Sequence, residues 1–374
     1  MKAFSCTCGQ PVFFHNLHCL ACGRELGYDA TARTFGAIEP AGAGLWARTG
    51  DARDPVPRFR ACAHRPAVAA CNWLVPANEP EAVCLSCRLT RTIPPLDRPK
   101  NADRLRDIES AKRRVLFALQ NLNLPIEPRG ERDGPAGLAF DFLESLPGEP
   151  GVMTGHASGL ITINVAEADD DYREQNREGL REPYRTVLGH LRHELGHYYW
   201  DVLVRDSEWL EPYRELFGDE RASYGDALNR HYQQGPPPDW ANRYISSYSA
   251  MHPWEDWAET WAHFLHIRST LETVTSYGLD TSHTPLRVTP FTRDVLYRHG
   301  GGAPDEEFLK WINAWVVLTA TLNEVSRSMG QPDIYPFVMN GAAVTKLHFV
   351  NTVVSMRGNA ATAPLPETLS TPGA

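Results

Sequence analysis

Residues 188–203 read LGHLRHELGHYYWDVL. Leu188, Leu191, Leu195, Tyr198 and Val202 recur at helical spacing, so the segment predicts a buried helix. It nevertheless carries His193, Glu194 and His197. Residues i and i+4 of a helix stand one above the other on a single face, so the two imidazoles can hold one Zn²⁺. Glu194 is offset around the helix and can reach the open side of such an ion. Water there is acidified to a pKa near ~7, and a neighbouring carboxylate can take its proton. The bland alternative is a pair of core histidines capped by backbone. It leaves Glu194 buried without a partner, which is costly.

A third protein ligand is required. The metzincin continuation H-E-x-x-H-x-x-G-x-x-H is closed, because Trp200 and Leu203 stand where it needs Gly and His. The best remaining source is a carboxylate from the later stretch YSAMHPWEDWAETWAHFLH, which begins at Tyr248. Pro253 fits a first helical position. Trp254, Trp257, Ala258, Trp261 and Leu265 then form an apolar stripe, with Glu255 and Glu259 at i, i+4 on another face. Glu255 and Asp256 are also explained by the dipole at a helix N-terminus; Glu259, one turn deeper, is not. His252 or His263 could stand in for Glu255. His190 can simply cap or pack, and Asp201 either orients His197 or caps the helix end.

All eight cysteines precede residue 88. Disulfides scattered through a secreted fold would not segregate in this way; a compact metal-binding module would. Cys6, Cys8, Cys19 and Cys22 make one group of four, and Cys62, Cys71, Cys84 and Cys87 a second. A Cys-x-x-Cys turn aims two thiolates at one ion, and a second pair completes the tetrahedron of a structural zinc site. His64 is the reserve ligand for the second group. The surrounding sequence is Gly- and Pro-rich, so metal should supply much of its folding energy.

Short β-type runs fill residues 1–97, and TIPPLDRPK, from Thr92, reads as a linker. Beyond Asn101 the pattern turns helical, with Leu105, Ile108, Val115, Leu116 and Leu119 near helical spacing. LAFDFL and GLITINVAEA read as strands, the second in a hairpin that turns between Gly155 and Gly159. Helices are expected near 183–205, 218–233, 253–275 and 304–329, with Trp311, Trp315, Leu318 and Leu322 as core. GLITINVAEA either offers an edge on which an extended peptide lies or is an ordinary half-buried strand. EADDDYRE, from Glu167, reads as a solvated acidic loop or a cation site. Residues 358–374 are small, polar and Pro-rich, and read as a disordered tail.

The 374 residues carry a net charge of −9, with 42% hydrophobic and 22% charged residues. That balance describes an ordinary globular protein and speaks against a general nucleic-acid-binding surface. WINAWVVLTATL is too short to span a bilayer, and the N-terminus has no signal-peptide h-region. A cytoplasmic protein with no membrane partner is expected.

The run Tyr248, Glu255, Glu259 downstream of H-E-x-G-H resembles gluzincin-type peptidases of the anthrax lethal factor and Pro-Pro endopeptidase group. The resemblance covers the two active-site helices. It implies Glu255 as third zinc ligand, Tyr248 as donor to the oxyanion and Glu259 as acceptor for a zinc histidine. Most of the chain resembles the bacterial zinc-binding metallopeptidases with an N-terminal zinc-ribbon region, the peptidase Mx group. FSCTCGQPVFFHNLHCLACGRELGY, CNWLVP, CLSCRLTRTIP, GLITINVAEAD, GHLRHELGHYYWDVL and HPWEDWAETWAHFLH carry that likeness.

Together these imply an α+β protein. A β-rich zinc-ribbon module with two four-cysteine sites (1–97) precedes a mostly helical zincin-like metallopeptidase domain (100–357). One catalytic and two structural Zn²⁺ are expected, with a peptide or protein substrate and room for a protein partner on the ribbon. Glu194 would act as general base with Tyr248 assisting; Glu259 and Asp201 would support the ligands. A non-enzymatic zinc-binding interaction module is the competing class. An amide hydrolase acting on a non-protein peptide would use the same residues.

Overall fold

The computed structural model describes residues 2–130, 137–148, 150–180, 184–281, 284–297 and 303–360. The N-terminal part is β-rich. Strands β1 (Phe4–Ser5) and β2 (Pro11–Val12) form a small hairpin around the first cysteines. Strands β3 (Leu26–Asp29), β4 (Thr34–Pro40), β5 (Trp46–Arg48), β6 (Phe59–Ala61) and β7 (Leu74–Pro76) follow as an antiparallel sheet in chain order. The sheet curls back on itself: Tyr28 N donates to Asn72 O at 2.8 Å. Helix α1 (Leu85–Arg88) and strand β8 (Thr90–Thr92) end this part.

Strand β8 does not stay with the sheet that precedes it. It pairs in parallel with β9 (Ala139–Leu143), and β9 pairs in parallel with β11 (Leu160–Asn164), whose hairpin partner is β10 (Gly155–Ala157). The segment read as a linker therefore begins inside a sheet of the C-terminal part, and the core runs through it unbroken. Phe117, on helix α2 (Asn101–Asn121), meets the rings of Phe14 at 5.0 Å and Tyr28 at 5.6 Å. Tyr28 Oη donates to Gln120 Oε1 at 2.8 Å.

Of the two readings of GLITINVAEA, edge strand or ordinary half-buried strand, the sheet takes the second: β9 covers its other side, and β10 is the edge. Its turn lies at Ser158–Gly159, and Gly155 belongs to the strand. The acidic run from Glu167 is largely helical, and among the described residues it joins no cluster of metal-ligating side chains. Glu167 is buried against Arg185, Asp169 pairs with Arg104, and helix α3 (Asp170–Leu180) takes up Asp170 and Asp171.

The remaining helices are α4 (Val187–Leu203), α5 (Leu210–Phe217), α6 (Tyr224–Gln234), α7 (Trp240–Arg243), α8 (Pro253–Ser276), α9 (Ala303–Ser328) and α10 (Gly341–Ala360). The helix expected over 218–233 starts at Tyr224, because Gly218 (φ 106°) ends α5 and Ser223 caps α6 through Asp226 N. Helix α10 was not legible, and it runs to Ala360, past the expected start of the tail; residues 361–374 lie outside the described residues. Helix α4 packs against α8 and α2, and α8 against α10. No described helix is long and apolar enough to cross a membrane.

Candidate metal centre

Helices α4 and α8 bring the chemistry together, and a glycine sets how closely they meet. A Cβ on Gly196 would lie 2.8 Å from Ala258 Cα and 3.1 Å from Ala258 O, both backbone atoms. Trp257 Nε1 bridges the same contact by donating to Gly196 O at 2.9 Å. Gly196→Ala should destabilise the fold by about 1–3 kcal/mol despite the better helix propensity of alanine, about 1 kcal/mol. The reason is that backbone, unlike a side-chain tip, cannot swing away. Urea denaturation of the variant measures this; unchanged stability would mean that the helices tolerate separation.

Across that contact the side chains of His193, His197 and Glu255 converge, each offering a donor atom, all within 4.8 Å of one another. His193 Nε2 lies 2.9 Å from Glu255 Oε2, and His197 Nε2 lies 3.4 Å from Glu255 Oε1. Ligand atoms at the vertices of a zinc tetrahedron are about 3.3 Å apart for bonds of about 2.0 Å. His197 Nδ1 is buried with no hydrogen-bond partner among the described residues, and Glu255 Oε2, though close to His193 Nε2, makes no well-aligned hydrogen bond. Glu194, Glu255 and Glu259 gather here, and the ion pairs of Glu255 and Glu259 are all with the two histidines. Such a carboxylate-rich, buried donor set fits a divalent cation.

His193 Nδ1 donates to Glu259 Oε1 at 2.8 Å, and Ser246 Oγ donates to Glu259 Oε2 at 2.6 Å. This turns His193 Nε2 toward Glu255. Burial opposes a charge on Glu259, yet the His193 contact and Ser246 hold its pKa down to about 2. Burial likewise works against ionising Glu255, but His197 and His193 keep it well below the usual carboxylate range. Burial pushes His193 down, and Glu255 and Glu259 outweigh it to hold the ring well above its ordinary value. The position thus favours a positive charge, whether a proton or a metal ion carries it. Glu194 is only 7% exposed, and burial raises its pKa against the pull of the two histidines.

The other candidates sort by geometry. Tyr248 lies in a short 3₁₀ turn, its ring 6.1 Å from that of His193. Asp201 pairs with Arg205 and makes no hydrogen bond to His197; one turn beyond His197, it is drawn to the nearer guanidinium. His252 caps α8, accepting from Trp254 N and donating to Ala222 O, and is not in the cluster. His263 bonds the Tyr335 hydroxyl, and His190 lies 3.4 Å from Glu167, so neither is a ligand here. Three neighbours had no signal in the sequence. They are Tyr224, whose hydroxyl donates to Glu255 Oε1 at 2.9 Å, Ser246, and His156 of β10, whose ring is 6.2 Å from that of His197.

The cysteines form the two expected groups of four, all as free thiols. Cys6 and Cys22 approach to 3.6 Å and Cys8 and Cys19 to 3.7 Å. Cys62 and Cys87 lie at 3.6 Å and Cys71 and Cys84 at 3.5 Å. These separations are far beyond a disulfide bond and near the ~3.8 Å edge of a zinc–thiolate tetrahedron. The second group is wholly buried, whereas Cys8 and Cys22 of the first are exposed. His64 is not part of the second group.

The profile of a family described as "Putative zinc-binding metallo-peptidase", peptidase Mx, matches residues 101–353. The chain belongs to the peptidase Mx family. A zinc-ribbon domain profile matches residues 3–98. Relatives in Mycobacterium bovis and in two strains of Mycobacterium tuberculosis are each 42% identical to this peptidase Mx chain over 356 residues, covering 95% of both chains. Each of those carries the name of an uncharacterized protein. No solved structure matches this peptidase Mx chain.

Proposed function

We propose that the protein is a zinc-dependent peptidase of gluzincin type, with a zincin-like catalytic part over residues 100–357 and a zinc-ribbon module over 1–97. The observation that carries the reading is the convergence of His193, His197 and Glu255 within 4.8 Å beside the buried Glu194. Zinc held by those three residues would supply an acidified water and a Lewis acid for the carbonyl. Glu194 takes the proton of the attacking water and later returns it to the leaving amine; burial, by raising its pKa, brings it nearer to that task. Tyr248 donates to the developing oxyanion. Glu259, steadied by Ser246, keeps His193 in the tautomer with Nε2 free.

Strand β10 is a sheet edge with His156 beside His197, and an extended peptide substrate can add to it as a further strand. The two groups of four cysteines hold structural zinc. Eight free thiols at metal-binding rather than disulfide distances support a reducing, cytoplasmic setting. The exposed part of the ribbon is available to a protein partner.

Native mass spectrometry of the full chain tests the metal assignment. Three zinc ions should bind the wild-type protein, and two should remain in His193→Ala/His197→Ala. A variant that keeps all three would place the third ion elsewhere. A wild type that binds only two would remove the catalytic centre from the reading.

A further inference from the structure

The side chain nearest the ligand set that no sequence pattern marks is Tyr224. It stands at the first turn of α6, a helix in which Ala227 is the buried residue. The helix lies between two residues with left-handed backbone, Gly218 (φ 106°) and Gly235 (φ 76°). What ties its N-terminus down is aimed at the start of α8. The Tyr224 ring meets His252 edge-on at 5.3 Å and Trp254 at 6.4 Å, and His252 Nε2 donates to Ala222 O at 3.0 Å.

Tyr224 as a whole is 37% exposed, but its hydroxyl end points inward. The hydroxyl donates to Glu255 Oε1 at 2.9 Å, and Glu255 is 2% exposed. This contact distinguishes the two oxygens of Glu255. Oε1 is engaged by the tyrosine, whereas the buried Oε2 makes no well-aligned hydrogen bond and faces the ligand set, 2.9 Å from His193 Nε2.

We propose that Tyr224 is a positioning residue for the metal centre: its hydroxyl engages one oxygen of Glu255 and so presents the other to the ion. This rests on the assignment of Glu255 as a ligand. A carboxylate held through one oxygen cannot rotate to bind through both, which keeps a coordination position open for water. Tyr224 supports His193, His197 and Glu255 from outside, as Glu259 does, but from an element that belongs to neither active-site helix. Tyr248 is its neighbour: the two hydroxyls interact, while the Tyr248 ring lies beside His193 and His231.

The test uses the full-length zinc-loaded protein. Tyr224→Phe keeps the ring packing and removes only the hydroxyl; Tyr224→Ala removes both. Each is titrated with a chelator of known affinity while native mass spectrometry counts the zinc ions retained, the two ribbon sites serving as internal reference. Loss of an outer-shell partner weakens metal affinity by about 10–100-fold. The third ion should be weakened to that extent in both variants, with the ribbon ions unchanged. If Phe holds the third ion like wild type, whatever Ala does, the inference is overturned and the metal centre stands. If wild type holds no third ion, the centre itself falls and Tyr224 with it.

Discussion

Glu194→Gln will keep the full zinc complement of the wild-type protein and slow peptide hydrolysis by about 10²–10⁴-fold, the usual worth of a positioned general base. Glutamine occupies the same volume and can still hydrogen-bond to water, but it cannot accept the proton. The residue is nearly buried and contributes no atom to the donor set of His193, His197 and Glu255. Zinc count and turnover should therefore separate cleanly. The measurement is cleavage of a quenched fluorescent peptide library beside native mass spectrometry of the same sample. A variant that cleaves as fast as wild type would end the general-base assignment. A variant that loses zinc would make Glu194 a structural part of the site.

A fragment beginning at Asn101 will not fold cooperatively, although the sequence invites that truncation. Removing residues 1–100 takes away β8, an edge strand of the sheet that contains β9, β11 and β10. It strips Phe4, Phe14 and Tyr28 from Phe117, a fully buried ring. It also takes Thr90 Oγ1, which donates to Glu109 Oε1 at 2.5 Å, from the buried Glu109–Lys112 pair. Exposing Phe117 alone costs up to about 3 kcal/mol. Several such losses consume the ~5–15 kcal/mol that holds a typical domain folded. Near-UV circular dichroism and a thermal melt of the fragment decide the matter. A sharp transition with native-like aromatic signals would show that the C-terminal part stands without the ribbon.

The centre was legible in sequence to the extent that its residues share a helix. His193 and His197 are one turn apart on α4, and Pro253 announces α8 with Glu255 and Glu259 in fixed register. The two cysteine groups were legible because Cys-x-x-Cys is a local geometry. Tyr224 was not, because it precedes Glu255 by 31 positions and reaches it only through the fold. Helix α10 was missed for another reason. Val344, Leu347, Phe349, Val350, Val353 and Val354 are all buried and spread around the helix, leaving no clear polar face. Their β-branched content suits a strand as well. Prolines 94 and 95 mark the junction at which the two family profiles, 3–98 and 101–353, divide; the pairing of the strand before them with one beyond is not legible from local sequence.

That pairing orders events at the ribosome. Chains emerge N-terminus first, so all four thiols of the second cysteine group are available once Cys87 is out. Strand β8 emerges directly after it, but Asp141, the partner of Arg91, is 50 residues further along than Arg91. The nascent ribbon must hold an unpaired strand edge through that interval, an exposure that favours aggregation. Capturing zinc at Cys62, Cys71, Cys84 and Cys87 would fix the root of β8 during the wait. A cell short of zinc would then lose this protein during its synthesis, before the residues of the α4–α8 centre have been joined.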